Sequence, residues 1–391
     1  MFTYAITFIA SLLLSLLLTP VIKRAALYFR VLDSPGLRKV HDVKIPRLGG
    51  LAIYISFMIV YYATILLGYI KVDESRFSPH FLRGYAIGGS IIVFLGAWDD
   101  VRQLRPLLKL FLQILAASIT VIYGMVIKLI SVPYLGEIDL GLFAYPFTLL
   151  WIVGITNAIN LIDGLDGLAG GVTFIASMTL FLIALQQGKT ETALFSIVLA
   201  GSLVGFLRYN FNPAQIFLGD SGALFLGYSL ANFSVMGTMK SSTAVALLIP
   251  IIALGFPIMD TFLAMLRRYA RALREGKGPL AALSEIGTAD KQHMHHKLME
   301  LGYTHKRTVV LLYGLCLVFG LFAFILTAYR DRSVAAILFF VGLMVFVMVR
   351  LLGYIEFRGL KEGNFLEQYL SKIGTAVKQK KPDSDPGKDA R

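Results

Sequence analysis

Apolar runs of roughly 20 residues, the length that crosses a bilayer as a helix, follow one another from the start of this chain to about residue 350. Short polar, basic or glycine-rich segments separate them. The pattern predicts eleven membrane-spanning helices, at 2–22, 48–70, 83–98, 107–127, 145–161, 168–187, 192–208, 222–238, 243–266, 308–328 and 333–351. The third and fifth are short for a span. The first run, Phe2 to Val21, is longer than a signal-peptide core, lacks a small-residue cleavage pattern and leads into a basic loop. It is read as a spanning helix, and the predicted fold is all-α and polytopic.

The connecting segments fall alternately on two sides. Those at 23–47, 98–109, 159–170, 208–221, 267–307 and 350–391 hold 29 of the 37 lysines and arginines. An excess of basic residues marks the cytoplasmic face. The N-terminus is therefore expected outside and the C-terminus in the cytoplasm. Residues 1–352 form one membrane domain in this reading. A basic cytoplasmic tail follows at 353–391, and its Pro-rich end after Lys378 reads as disordered.

Composition agrees with the pattern. Hydrophobic residues make up 57% of the chain and charged residues 16%, against about a quarter charged in ordinary soluble domains. The net charge of +13 is mostly a topology signal, able also to hold anionic lipid at the inner leaflet, and does not point to nucleic acid. One cysteine, Cys316, excludes a disulfide framework and a cysteine-ligated metal site.

Five polar clusters lie on the predicted cytoplasmic side. The first loop carries Arg38-Lys39-Val40-His41 and then Lys44-Ile45-Pro46-Arg47-Leu48-Gly49-Gly50, cations beside a turn, suited to phosphate. Asp99-Asp100 ends the third helix, with Lys109 and Gln113 on the next. Adjacent carboxylates suit a divalent cation or shared proton work, although one alone would serve as a helix cap. Asn157, Asn160, Asp163 and Asp166 precede or enter a run with Gly164 and Gly167, which predicts an opened turn where backbone can approach a ligand. Asn210-Phe211-Asn212-Pro213 leads to Phe217-Leu218-Gly219-Asp220-Ser221-Gly222, with Asp220 starting the eighth helix as a cap or an oxygen ligand. Phe217 could offer a stacking face to a base. In the longest inner loop, Asp290-Lys291-Gln292-His293-Met294-His295-His296 gathers three of the six histidines. Acids for a cation, and cations and imidazoles for phosphate, share one membrane surface. That inventory fits phosphoryl transfer to or from a lipid.

At these residues the chain resembles the polyprenyl-phosphate N-acetylhexosamine-1-phosphate transferases, of the glycosyltransferase 4 type. The matching stretches are Ile45 to Gly50, Trp98-Asp99-Asp100 with Lys109, Asn157 to Gly167, Phe217 to Gly222, and His293 to His296. They run in order from about residue 33 to 302, and the two Asp-Gly-rich runs are specific together. The His-Met-His-His spacing and the basic inner tail are similar to the WecA/TagO-like branch, which uses UDP-N-acetylglucosamine. The MraY-like branch, which transfers phospho-MurNAc-pentapeptide, carries three successive histidines instead. Ala289 stands where the branch pattern has proline.

The resemblance implies transfer of N-acetylglucosamine 1-phosphate from UDP-GlcNAc to polyprenyl (undecaprenyl) phosphate. It implies an inner (plasma) membrane location, a cytoplasmic site, and a role in lipopolysaccharide or teichoic acid biosynthesis, with a homodimer compatible. By the same resemblance, Asp99, Asp100, Asp163, His295 and His296 are expected among the catalytic groups. Lys44, Arg47, Lys109, Asn157, Asn160, Asp166, Asn210, Phe217 and His293 are expected to bind substrate. Asp220, with Asp99 and Asp100, is expected to hold Mg²⁺ or Mn²⁺. A secondary transporter is the rival from another class. It would put ionisable residues at mid-membrane on broken helices, where Asp260 is the main candidate, and the chain shows no internal repeat.

Overall fold

The computed structural model describes residues 1–33, 44–68, 79–132, 136–238, 248–275, 277–284 and 293–328. Their elements are nearly all helical. In order they are α1 (Phe2–Tyr28), α2 (Gly49–Leu66), α3 (Pro79–Arg102), α4 (Pro106–Ile122), α5 (Ala144–Ile162), α6 (Leu168–Gln186), α7 (Thr190–Asn210) and α8 (Gly219–Thr238). Then come α9 (Leu248–Ala253), α10 (Gly255–Arg274), α11 (Pro279–Ser284), α12 (Met294–Glu300) and α13 (His305–Ala328). Two short antiparallel pairs join loops. Leu32 and Asp33 (β1) face Pro46 and Ile45 (β2), and β3 (Leu129–Val132) pairs with β4 (Gly136–Asp139).

Seven of these helices are long and apolar enough to cross a membrane: α1, α2, α3, α5, α6, α7 and α13. The second, fourth, fifth, sixth, seventh, eighth and tenth predicted runs match described helices to within a few residues, and the first, predicted at 2–22, continues to Tyr28. The third run, predicted at 83–98, extends in both directions because its polar ends are helical too. The ninth run is interrupted at Leu254, giving the short α9 and then α10, which continues into Arg267, Arg268, Arg271 and Arg274. The eleventh run and the tail lie outside the described residues.

Small residues draw α1 onto α7. Thr7, Ser11, Ser15 and Thr19 recur every fourth position and are all buried, while Ile9, Leu13 and Leu17 on the other face are exposed. Gly201 and Gly205 of α7 lie directly against Ser11 and the α1 backbone, leaving no room for a Cβ. Close backbone approach of this kind is how apolar helices pack without a hydrophobic driving force between them.

The helix that organises the site is α8. It carries polar residues along its length and is buried almost throughout, facing protein on every side. Ser221, Ser229, Asn232 and Ser234 are all at most 1% exposed. The serines find partners on the surrounding helices, Tyr85 Oη–Ser229 Oγ at 2.9 Å and Trp151 Nε1 donating to Ser234 Oγ at 2.9 Å, while Asn232 Nδ2 donates to Tyr228 O within α8 at 2.7 Å. Tyr228 Oη meets Thr120 Oγ1 at 2.5 Å. Buried hydroxyls and rings thus satisfy one another, and α8 presents its N-terminus at the predicted cytoplasmic loops.

Candidate active site

At the joint between α3 and α8 the two adjacent acids point to different partners. Asp100, 8% exposed, accepts from the backbone N–H of Asp220 (2.9 Å) and of Ser221 (3.1 Å), and from Ser221 Oγ (2.9 Å). It therefore supplies the cap for α8, satisfying donors that the first turn of a helix leaves open. Gly219 makes the approach feasible: it sits at φ +72°, and a Cβ there would strike the Asp100 carboxylate. Asp99 instead accepts Leu104 N–H at 2.6 Å and takes Lys109 Nζ at 3.1 Å. The same ammonium contacts Asp220 Oδ2, and Asn160 Nδ2 donates to Asp220 Oδ1 at 3.0 Å. Asp99, Lys109, Asp220 and Asn160 form one polar chain contributed by four helices.

The start of α2 is fastened to this joint by backbone. Phe217 N–H donates to Pro46 O (2.8 Å), Gly49 N–H to Phe217 O (3.0 Å) and Gly50 N–H to Leu218 O (2.9 Å). Gly50 lies so close to Ser221 and Gly222 that no side chain fits. This places Arg47 between Asp33 (2.5 Å) and Asp100 (3.9 Å).

Between α5 and α6 the chain opens, as the Gly164 and Gly167 positions predict. α5 ends at Ile162, and Gly167 (φ +78°) precedes α6. Asp166 is a tie: its Oδ2 accepts from Asn212 Nδ2 and Ala214 N–H, each at 3.0 Å. Asn210 is buried and bonds on both sides, accepting Gly167 N–H at 3.0 Å and donating to Ile216 O at 2.9 Å. Asp163 is free of that stitching. Burial pushes its pKa up to about 8, helped by the nearby Asp220 and Asp100 charges and opposed by Arg47. A carboxyl held this high by other carboxylates marks a place where a cation is favoured.

These parts enclose a cavity of about 970 Å³. Lys23, Lys44 and Arg47 contribute positive charge to its wall, and Asp163, Asp166 and Asp220 contribute negative charge. Asn210, Phe217 and His296 also line it. Lys109, Asp99, Asn160 and Asp100 reach it through Asp220. Asn157, one turn before Asn160, is committed elsewhere: its Nδ2 donates to Gln113 Oε1 (2.5 Å) and Val153 O (2.8 Å).

The three histidines differ. His293 Nδ1 pairs with Asp260 Oδ2 at 2.9 Å, and Asp260 Oδ1 accepts Met294 N–H at 2.9 Å. Asp260, the mid-span acid, is thus the partner that starts α12. His295 is 1% exposed and packs over Gly164. Burial, with His296 beside it at 4.2 Å between ring centroids, lowers its pKa to about 3. It is a neutral imidazole at pH 7, able to donate a hydrogen bond but not to supply charge. His296 lines the cavity.

Sequence reasoning missed Asp33, Lys23 and Tyr313, and it named Asn212 within a cluster without giving it a role. Asp33 reaches Arg47 only through the β1–β2 pairing, and no local spacing signals that. Among the described residues no group of three or more His, Cys, Asp and Glu side chains forms a ready metal cage. The donors present nevertheless fit Mg²⁺, which takes one or two carboxylates and completes its shell with water and substrate phosphate. Asp99 and Asp220 are hard oxygen donors already gathered around one cation, the Lys109 ammonium.

A helical membrane bundle with acids and cations around a cavity of about 970 Å³ defines a class, and comparison assigns it. Residues 82–238 match glycosyl transferase family 4, and the chain belongs to that family. It is 41% identical, over 89% of its length and 91% of the relative's, to the probable undecaprenyl-phosphate N-acetylglucosaminyl 1-phosphate transferase of Bacillus subtilis. It is 33% identical to the decaprenyl-phosphate N-acetylglucosaminephosphotransferase of Mycolicibacterium smegmatis, over 84% of this chain and 82% of that one. With the undecaprenyl-phosphate alpha-N-acetylglucosaminyl 1-phosphate transferase of Escherichia coli K12 it shares 27% identity over 72% of each.

Proposed function

We propose that this protein transfers N-acetylglucosamine 1-phosphate from UDP-GlcNAc to undecaprenyl phosphate, giving undecaprenyl-diphospho-GlcNAc and UMP. It would supply the first membrane step of a cell-envelope polymer. The observation that carries the reading is the meeting of Asp163 and Asp220 with Lys44 and Arg47 in the lining of one cavity, with Asp99 and Lys109 joined to it through Asp220.

In the reaction an oxygen of the acceptor phosphate attacks the sugar-bearing β-phosphorus. The bond from that phosphorus to the bridging oxygen breaks, and its electron pair leaves with UMP. Such transfers depend mainly on positioning and charge neutralisation. The acceptor's second pKa is near 6, so it is largely a dianion at neutral pH and needs little help from a base. Asp99 and Asp220 would hold Mg²⁺, with Mn²⁺ an acceptable substitute, and the ion supplies positive charge to the diphosphate oxygens when bound. Lys109 and Arg47 neutralise the remaining charge. Asp163 and Phe217 face the nucleotide, Asn160 supports Asp220 beside them, Asp166 binds indirectly by tying the turn to the 210–217 loop, and His296 with the neutral His295 supplies hydrogen bonds. Asn210 acts by holding the loop that carries these groups.

The site is assigned to the cytoplasmic face of the inner (plasma) membrane, with eleven spans through residue 352, the N-terminus outside and a basic cytoplasmic tail. Support comes from the cavity lining, which draws Lys23, Lys44, Arg47, His296 and His305 from the two basic segments 23–47 and 267–307.

The test is purified protein with radiolabelled UDP-GlcNAc and undecaprenyl phosphate, with and without EDTA. Label should enter the lipid with release of UMP and stop on chelation. Absence of labelled lipid, or turnover only with a MurNAc-pentapeptide donor, would overturn the assignment.

A further inference from the structure

The segment from His293 to Tyr313 follows the α5–α6 turn residue by residue. His295 lies over Gly164. His305, at the start of α13, has Nε2 3.4 Å from the carbonyl oxygen of Asp166. Two turns further along the same face of α13, Tyr313 Oη donates to the carbonyl oxygen of Gly167. The Tyr313 ring also fills the space where a Cβ on Gly171 would sit, so its approach to the start of α6 is close and specific.

Gly167 is thereby held by both of its peptide groups. Its N–H is taken by Asn210 Oδ1 at 3.0 Å and its carbonyl by Tyr313 and by Gly171 N–H at 2.9 Å. A glycine at φ +78° has a wide choice of conformations, and bonds on both sides remove that freedom. What the fixed glycine orients is the turn before it, where Asp163, Gly164, Leu165 and Asp166 line the cavity. Tyr313 itself is absent from the cavity lining among the described residues.

We infer that Tyr313 is a positioning residue for the nucleotide-sugar donor: its hydroxyl fixes the Gly167 carbonyl and so sets the turn that receives the donor. The inference rests on the function proposed above. It predicts a selective kinetic signature, because the Asp99–Lys109–Asp220 chain lies on α3, α4 and α8 and takes no bond from Tyr313 or Gly167.

The experiment compares wild type with Tyr313→Phe, which removes one oxygen and keeps the ring. The donor KM should rise about fivefold, the equilibrium worth of one ordinary hydrogen bond, while acceptor KM and kcat stay within about twofold. A purely structural role would lower folded yield and leave donor KM alone. His305→Ala, which releases the neighbouring Asp166 carbonyl, should shift donor KM in the same direction and serves if the Tyr313 variant does not assemble. An unchanged donor KM, or equal rises for donor and acceptor, overturns the inference while the proposed function stands. A wild type that consumes no UDP-GlcNAc overturns both.

Discussion

The α3–α8 joint and the α5–α6 turn both place aspartates at the cavity, and the two regions use them in parallel. Each has one carboxylate that fixes backbone and one that faces the ligand space, and the joint adds a third, Asp99, on the far side of Lys109. Asp100 fixes α8 by capping it, and Asp166 fixes the 210–217 loop through Asn212 and Ala214. Asp220 and Asp163 are the members that remain for chemistry. The difference lies in how charge is balanced. At the joint Lys109 bridges Asp99 and Asp220, whereas Asp163 has only the distant help of Arg47 and is driven toward its neutral form. At the joint one ammonium offsets only one of the two carboxylate charges, which leaves room for a cation there, and at the turn an arriving cation would favour the ionised form of Asp163.

Breaking the joint should have the largest effect. Asp220→Asn and Asp99→Asn are expected to lower transfer by at least about 10²-fold, the scale of removing one charge-stabilising group, in protein that still inserts and elutes as wild type. Near-normal turnover by either variant would remove that residue from the reacting centre.

Asp100 should behave differently from its neighbour, although both are acids in the same turn. Asp100→Asn keeps an oxygen to accept from α8 and should retain far more activity than Asp99→Asn. Asp100→Ala leaves two backbone N–H groups and the Ser221 hydroxyl unpaired, at a cost of about 1–3 kcal/mol. It should lower the unfolding temperature in detergent before it lowers donor binding. Equal kinetic losses in Asp99→Asn and Asp100→Asn would erase the division of labour.

At the turn the expected signature is pH. Because the folded Asp163 carboxyl titrates near 8, above its ordinary 3.8, its neutral form is the one folding favours. Its contribution to stability is complete below about pH 4 and fades as pH rises to 8. Thermal unfolding in EDTA should show Asp163→Asn gaining on wild type across that interval and levelling above it, while transfer is lost. A pH-independent difference between the two proteins would mean that Asp163 is not shifted. The smallest expected effect is Asp166→Asn, which keeps one acceptor and should raise donor KM only a few-fold, about the value of one weakened hydrogen bond.

Much of the site was legible beforehand, because clustering acids, amides and glycines in a chain poor in charge is itself unusual. The opened turn at Gly164 and Gly167 could be read from residue type, since few side chains tolerate the backbone angles required. Assigning each acid its task was out of reach. Asp100 and Asp99 are neighbours in sequence, yet one faces a helix start 120 residues away and the other faces Lys109. The same limit applied to the histidines. Three imidazoles in four positions suggested shared phosphate binding, but His293 is taken by Asp260, 33 residues earlier, and His295 is too deeply buried to carry charge.

Hydropathy alone determined that this chain lives in a membrane as a helical bundle, because the length and polarity of each run are local properties that lipid selects directly. The sequence also put the candidate chemistry at the ends of apolar runs, where charge can be left in contact with water. Only tertiary structure decided that the polar-flecked α8 stands inside the bundle, that α9 and α10 are separate, and which carboxylate caps, ties or waits for a ligand. Those outcomes depend on contacts between helices far apart in the chain, where a hydrogen bond taken by one partner is withdrawn from every other.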